Sequence, residues 1–301
     1  LPADHIEVAL SPFFAAVSDR GLRHDRNEDR FTIAQEGGGY ALVVCDGVSS
    51  SRESELASSA VAEGVLDSLV KALRSGPDPD HGGRRIGDPV LVMRQAIAAG
   101  AERLATATAP GSADQTASFP ANRADPRAEN PPSTTVVAAL VADGLATIGW
   151  AGDSRAYWID EAGARPLTED HSWQNAVVAT GEMTAEQASA APQAHAITRW
   201  IGADAGDNAT PDVIQHPAAH GMLLLCTDGL WNYAPTPEAM ARLVQSSSTP
   251  GPDTTGEHAV AIGRRLIEFA NSQGGHDNIT VALLTTGLAA GPVEPTGTAE
   301  P

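Results

Sequence analysis

Eight short apolar runs constrain this 301-residue chain more than anything else in it: 13–18, 31–35, 40–45, 135–142, 145–150, 156–159, 222–226 and 279–284. Each has the length of a strand and is bounded by turn-forming residues. The runs 135–142 and 145–150 are joined by Asp143-Gly144, a pair suited to the two positive φ angles of a type I′ hairpin turn. Those two strands are therefore expected to run antiparallel. Hairpins of this kind flank long helical patterns without strict strand–helix–strand alternation. The expected fold class is α+β, with antiparallel sheets and helices packed outside them.

The helical patterns are well punctuated. Ala57, Val61, Val65 and Leu69 recur every four residues behind Ser50 and Glu53, which read as a capping box, and Gly76-Pro77 closes that helix. Asp88-Pro89 opens a second helix, carrying Met93, Ile97, Ala101 and Leu104 on one face. Thr236-Pro237 opens a third, and Thr254 with Glu257 a fourth. A shorter pair lies within 172–191, broken at Gly181 and capped by Thr184 with Gln187. Residues 76–88 and 110–132 are rich in Pro, Gly and Ser and read as loops, the second as a flexible insertion. The tail 289–301 reads as disordered, which leaves 1–288 as one domain.

Charge narrows the function. The chain has 19 Lys and Arg against 38 Asp and Glu, a net −19. That balance argues against nucleic-acid binding, which needs a basic stripe, and against docking on anionic lipid. No apolar run reaches the length of a membrane span, and no signal-peptide pattern heads the chain. Two cysteines, Cys45 and Cys226, are too few for a disulfide framework, so a cytoplasmic setting is expected. Both cysteines end apolar strands, where a buried, inert thiol is the ordinary outcome.

The remaining acids are not spread evenly. Asp46-Gly47 ends YALVVCDG, and Asp228-Gly229 ends MLLLCTDG. A carboxylate at the end of an apolar strand is costly unless something pairs with it, and a hard divalent cation is a natural partner. Taken singly, each could be an ordinary turn. Four further polar clusters stand at strand edges: Asn27-Glu28-Asp29, Gly152-Asp153-Ser154-Arg155, His276-Asp277-Asn278, and Thr134 within PPSTTVV. A rigid sheet can aim such groups into one cleft.

In chain order, SDRGLRHDRNEDRF, VVCDGVSS, STTVVAAL, WAGDSRAYWI, LTEDHS, ITRWIGAD, LLLCTDGLWN and GGHDNITVALL resemble the motif series of the metal-dependent serine/threonine protein phosphatases, the type 2C or PPM family, in their bacterial form. The resemblance spans about residues 15 to 284. It implies a four-layer α-β-β-α sandwich, two antiparallel sheets flanked by helices, with the metals at one edge. By resemblance Asp46 bridges two ions, Mn²⁺ or Mg²⁺, and the carbonyl of Gly47 contacts one of them. Asp228 and Asp277 hold the other, and Glu28 acts through water. Asp153 with Asp228 forms a third, weaker site. Asp29 lies beside the metal-bridging water, so Asp29, Asp46 and Asp228 make up the catalytic set. Thr134, Asp170, His171, Ser172 and Asn278 match supporting positions, and 172–204 matches the family's flap.

The implied activity is hydrolysis of phosphoserine and phosphothreonine by direct attack of that water. The implied partners are phosphorylated proteins, substrates of a serine/threonine kinase; a monomer is expected. A donor set of carboxylates, a carbonyl and water suits Mg²⁺ or Mn²⁺ and not Zn²⁺. Two further departures from the family accompany the insertion. Val48-Ser49-Ser50 stands where many bacterial members have a glycine run. His24, flanked by Arg23 and Arg26, stands where many members place an Arg that grips the substrate phosphate. Histidine cannot fork onto phosphate as Arg does, so capture falls to His24, Arg23 or Arg26. His24 is also the one feature that favours an alternative, a catalytically weak phosphatase-like regulatory module. A third reading keeps the chemistry and changes the substrate to a small phosphoester.

Overall fold

The hairpin at Asp143-Gly144 forms as its sequence predicts, with both residues at positive φ, 51° and 75°. In this computed structural model, which describes residues 5–75, 86–109, 130–248 and 258–287, the hairpin sits inside a five-stranded sheet. Its order is β11 (Asp212–Pro217), β7 (Leu145–Ala151), β6 (Val136–Ala142), β4 (Gly39–Cys45) and β3 (Arg30–Glu36). A six-stranded sheet runs β1 (His5–Ser11), β2 (Phe14–Asp19), β13 (Ile279–Thr286), β12 (Gly221–Cys226), β8 (Arg155–Asp160) and β9 (Gly163–Pro166). A two-residue pairing joins β5 (Ser133–Thr134) to β10 (Ile201–Gly202). Every neighbouring pair is antiparallel.

Alternation along the strands divides the core into three apolar layers. Phe14, Leu42, Val137, Ile148, Leu223 and Leu225 meet between the two sheets. On the outer face of the five-stranded sheet, Val43, Ala138 and Leu140 pack on Val61, Leu69, Met93 and Ile97. These last four come from α1 (Ser54–Arg74) and α2 (Pro89–Ala107). On the other outer face, Val17, Leu224, Val281 and Leu283 meet Leu243, Ile262 and Leu266. Those three belong to α6 (Pro237–Ser247) and α7 (His258–Ser272). The result is the helix–sheet–sheet–helix sandwich that the resemblance implies.

Three of the expected caps form. Asp88 accepts from Val90 N–H, Thr236 accepts from Ala239 N–H, and Thr184 with Gln187 closes a full capping box ahead of α4 (Ala185–Ser189). The preceding α3 (Trp173–Ala179) ends just before Gly181, whose φ is 75°. The box at Ser50 and Glu53 does not form. Glu53 occupies the N-cap position of α1 in a left-handed conformation, φ 50°, with no side-chain cap. The loop ahead of it is tied elsewhere, by Val48 N–H to the Ser133 carbonyl and Arg52 N–H to that of Asn130. The expected cap at Thr254 and Glu257, most of the loop 76–88 and of the insertion 110–132, and the tail lie outside the described residues. Among the described residues no helix is long and apolar enough to cross a membrane.

Register is what places the site. Cys45 pairs with Arg30, Cys226 with both Val281 and Arg155, Val136 with Ala151, and Ile279 with Asp19. The last residues of β4, β7 and β12 therefore stand beside the first residues of β3, β6, β8 and β13. The segments leaving that shared edge are 27–29, 46–49, 133–135, 152–154, 227–229 and 275–278.

Candidate active site

Five acids, one from each of five of these segments, are close enough to perturb one another. Asp46 is held well above the ordinary carboxylate range, first by burial and then by repulsion from Asp29, Asp228, Asp153 and Asp277. Asp228 is raised in the same way by burial and by Asp153, Asp277 and Asp29. Burial pushes Asp29 up to about 7, Asp277 and Glu28 adding to the effect. Asp153 also reaches about 7, through burial and then the charge of Asp170. Repulsion of this kind is what a low-dielectric cluster of like charges produces.

Buried hydrogen bonds hold the acids in place. Asn278, 2% exposed, accepts from Glu28 N–H at 2.6 Å and donates to the carbonyls of Arg20 and Arg26 at 2.8 and 2.9 Å. One amide thus clamps the whole loop that carries His24, Glu28 and Asp29. Thr227 donates to Asp29 at 2.9 Å, and Thr134 donates to the Asp46 carbonyl at 2.7 Å. Ser49 donates to the Glu28 carboxylate at 3.1 Å. A Cβ at position 47 would lie 2.7 Å from the Glu28 carbonyl oxygen and 2.9 Å from that of Ser54, so only glycine lets the backbone pass there.

A second set of contacts braces Asp153. Arg155 forms a bidentate ion pair with Asp170, at 2.8 and 2.7 Å, and lies 3.6 Å over the Trp231 ring. The Trp231 indole N–H donates to the Asp153 carbonyl at 3.0 Å. Trp231 closes α5 (Asp228–Trp231), the turn that begins with Asp228. His171 is structural: its Nδ1 accepts from Gly152 N–H at 3.1 Å, its Nε2 faces Asp212 at 3.0 Å, and burial lowers its pKa. His276 is spent on Tyr233, 3.0 Å away.

The cations proposed to grip phosphate are placed unequally. His24 Nε2 lies 3.2 Å from Asp277, and Arg26 pairs with Glu55 at 3.0 Å. Arg23 is exposed on the same loop. Both cysteines are buried, and burial pushes their thiols up, Cys226 to about 12; neither is poised as a thiolate. Sequence reasoning missed Ser49, Thr227 and the Arg155–Trp231 brace. Nothing in the spacing of the motifs signals these contacts, because each joins segments far apart in the chain.

The donor set fits hard divalent ions. Glu28, Asp46, Asp153, Asp228, Asp277 and the Gly47 carbonyl offer only oxygen, which suits Mg²⁺ or Mn²⁺. Among the described residues no three acidic, His or Cys side chains form a closed ligand cage. Ions seated here would keep several of their waters, as Mg²⁺ does.

Comparison with known proteins agrees with the fold. The profile of the protein phosphatase 2C family matches residues 22–261. The serine/threonine phosphatase stp of Listeria innocua is 36% identical over 155 residues, which cover 52% of this chain and 57% of that protein. The chain thus matches a little over half the length of such curated relatives. The crystal structure of the serine/threonine phosphatase Stp1 from Staphylococcus aureus superposes with a TM-score of 0.67 at 26% identity, covering 95% of this chain and 99% of that one. The catalytic domain of the serine/threonine protein phosphatase PstP, solved with two manganese ions, gives 0.63 at 25% identity over 93% and 98%.

Proposed function

The chain belongs to the protein phosphatase 2C family, and on that footing we propose that it hydrolyses phosphoserine and phosphothreonine in cytoplasmic proteins with two bound Mn²⁺ or Mg²⁺ ions, a third binding more weakly at Asp153. The observation that carries this reading is the gathering of Asp29, Asp46, Asp153 and Asp228 at one sheet edge, every one of them held above its ordinary pKa. Keeping such a cluster is costly unless cations neutralise it. Glu28, Asp46, Asp228 and Asp277, with the Gly47 carbonyl, would hold the two ions. Bound there, ions of this kind acidify water and neutralise phosphoryl oxygens. The two manganese ions of the PstP structure support the choice of metal.

The chain's own contribution is positioning and proton handling. Asp29, steadied by Thr227, takes the proton of the attacking water. Asn278 and Thr134 fix the backbone from which Glu28 and Asp46 project. Arg23 grips the phosphate, standing exposed on the loop that carries His24 while Arg26 is paired with Glu55. The substrates are phosphoproteins made by a serine/threonine kinase.

The test is turnover of p-nitrophenyl phosphate and of a phosphothreonine peptide with Mn²⁺, with Mg²⁺ or with EDTA. Turnover should vanish in EDTA and fall on the order of a hundredfold or more in Asp228→Asn, which removes a metal-holding carboxylate. Asp143→Asn should retain it, because asparagine tolerates the left-handed turn. Full turnover in Asp228→Asn would overturn the assignment. A metal-loaded protein that turns over neither substrate would favour the regulatory module instead.

A further inference from the structure

A cleft of about 500 Å³, lined in part by Asn232, opens beside the acidic cluster and shares Asp153 with it. Asn232 donates to the Asp228 carboxylate at 3.2 Å, so the cleft and the cluster are continuous. One part of the lining is rigid: Arg155 is locked by its two bonds to Asp170 and by the Trp231 ring beneath it. Pro235, Pro237, Asn175 and His195 are among the residues that line it. Glu169 stands at the rim, exposed, its backbone carbonyl pinned by the Trp150 indole N–H at 2.8 Å.

The charge balance of this cleft is one-sided. Its only Arg or Lys, Arg155, is already engaged by Asp170. Asp153 belongs to the metal-holding set. Glu169 is left as an acid with no ion-pair partner among the described residues. A substrate whose phosphate sits at the acidic cluster must run its flanking residues out across the neighbouring surface, and this cleft is a built depression next to it. We propose that the cleft is a specificity subsite that takes a basic side chain, Arg or Lys, from the polypeptide flanking the phosphorylated residue, with Glu169 as its ion-pair partner. The aliphatic stem of such a side chain would lie against Pro235 and Pro237, its charged head at Glu169, as long basic side chains do on apolar surfaces. The inference rests on the phosphatase reading above and extends it to the choice of substrate.

The experiment uses the Mn²⁺-loaded protein and a set of phosphothreonine peptides in which a single arginine is walked through the flanking positions. Glutamate at the same positions provides the comparison. At the favoured position kcat/KM for the arginine peptide should exceed that for the glutamate peptide by about fivefold to tenfold, the worth of a partly desolvated ion pair. Glu169→Gln should bring that ratio close to one, and Glu169→Lys should invert it. Because the ratio compares two substrates of one variant, a general change in turnover cancels. An arginine preference that survives unchanged in Glu169→Lys overturns the subsite. So does a wild-type protein that turns over p-nitrophenyl phosphate but shows no preference at any position. A wild-type protein inactive on both kinds of substrate overturns the phosphatase reading and the subsite with it.

Discussion

Asn278 is one side chain doing the job of a short strand. It is buried, and its three hydrogen bonds reach a loop some 250 residues away in sequence. Replacing it with alanine leaves a backbone donor and two carbonyls unmet in a buried place, at a cost of roughly 2–4 kcal/mol. Asn278→Ala should therefore lower the denaturation midpoint. It should also cut kcat more than KM, since Glu28 and Asp29 lose their fixed positions while Arg23 stays exposed to substrate. A midpoint within error of wild type would show that the clamp is replaceable. Ser49 is a subtler case. Its hydroxyl reaches the Glu28 carboxylate, so a residue that the motif resemblance marks only as a departure adds a contact to the site.

At the scale of elements, the edge strand β1 depends on charge. His5 lies between Asp19 and Glu7 at 2.8 and 2.9 Å, and Arg264 of α7 holds Glu7 from the other side. Burial works against the charged imidazole of His5, but its hydrogen bonds to Glu7 and Asp19 outweigh that and leave its pKa above the ordinary 6.5. A raised histidine pKa stabilises the fold fully below 6.5, and the gain is lost as pH climbs through the folded-state value. Amide exchange in β1 should thus quicken as pH rises above 6.5 and through the folded-state value by more than the intrinsic chemistry explains. His5→Gln should flatten that extra dependence. The same strand shows what could be read in advance. The interior strands were legible because burial on both faces makes them continuous apolar runs, as in LLLC and VVAALV. HIEVALS, GARP and DVIQHP form β1, β9 and β11 at sheet edges, and their polar or Pro- and Gly-bearing sequences match half-solvated strands that carry no such run. Asp46 and Asp228 were legible for a related reason, since an acid ending an apolar strand demands a partner, whereas Glu28, Asp29, Asp153 and Asp277 were picked out by the motif resemblance. The contacts of Ser49, Thr227 and Trp231 were not, because they exist only once distant loops share one edge.

For the molecule as a whole, the acidic cluster makes stability a function of both pH and metal. Asp29 and Asp153 hold their protons up to about 7 in the folded chain, against an ordinary value of 3.8. Their contribution to stability is complete below 3.8 and is lost as pH rises through about 7. In EDTA the protein should therefore melt lower at pH 8 than at pH 5.5. Saturating Mn²⁺ should remove most of that loss and raise Tm at pH 8, one site at a hundred times its Kd adding about 2.7 kcal/mol to the free energy of unfolding. A Tm in EDTA that is flat between those pH values would deny the cluster its cost. The antiparallel register has a practical corollary as well. All of the acids leave one edge of the sandwich, and the Asp143-Gly144 turn lies at the far end of the seven-residue β6, about 20 Å away. The chain's two thiols are sealed in the core. A cysteine introduced at that turn would be the lone accessible thiol, a single anchoring point for a dye, a bead or a sensor surface, with every molecule mounted cleft outward.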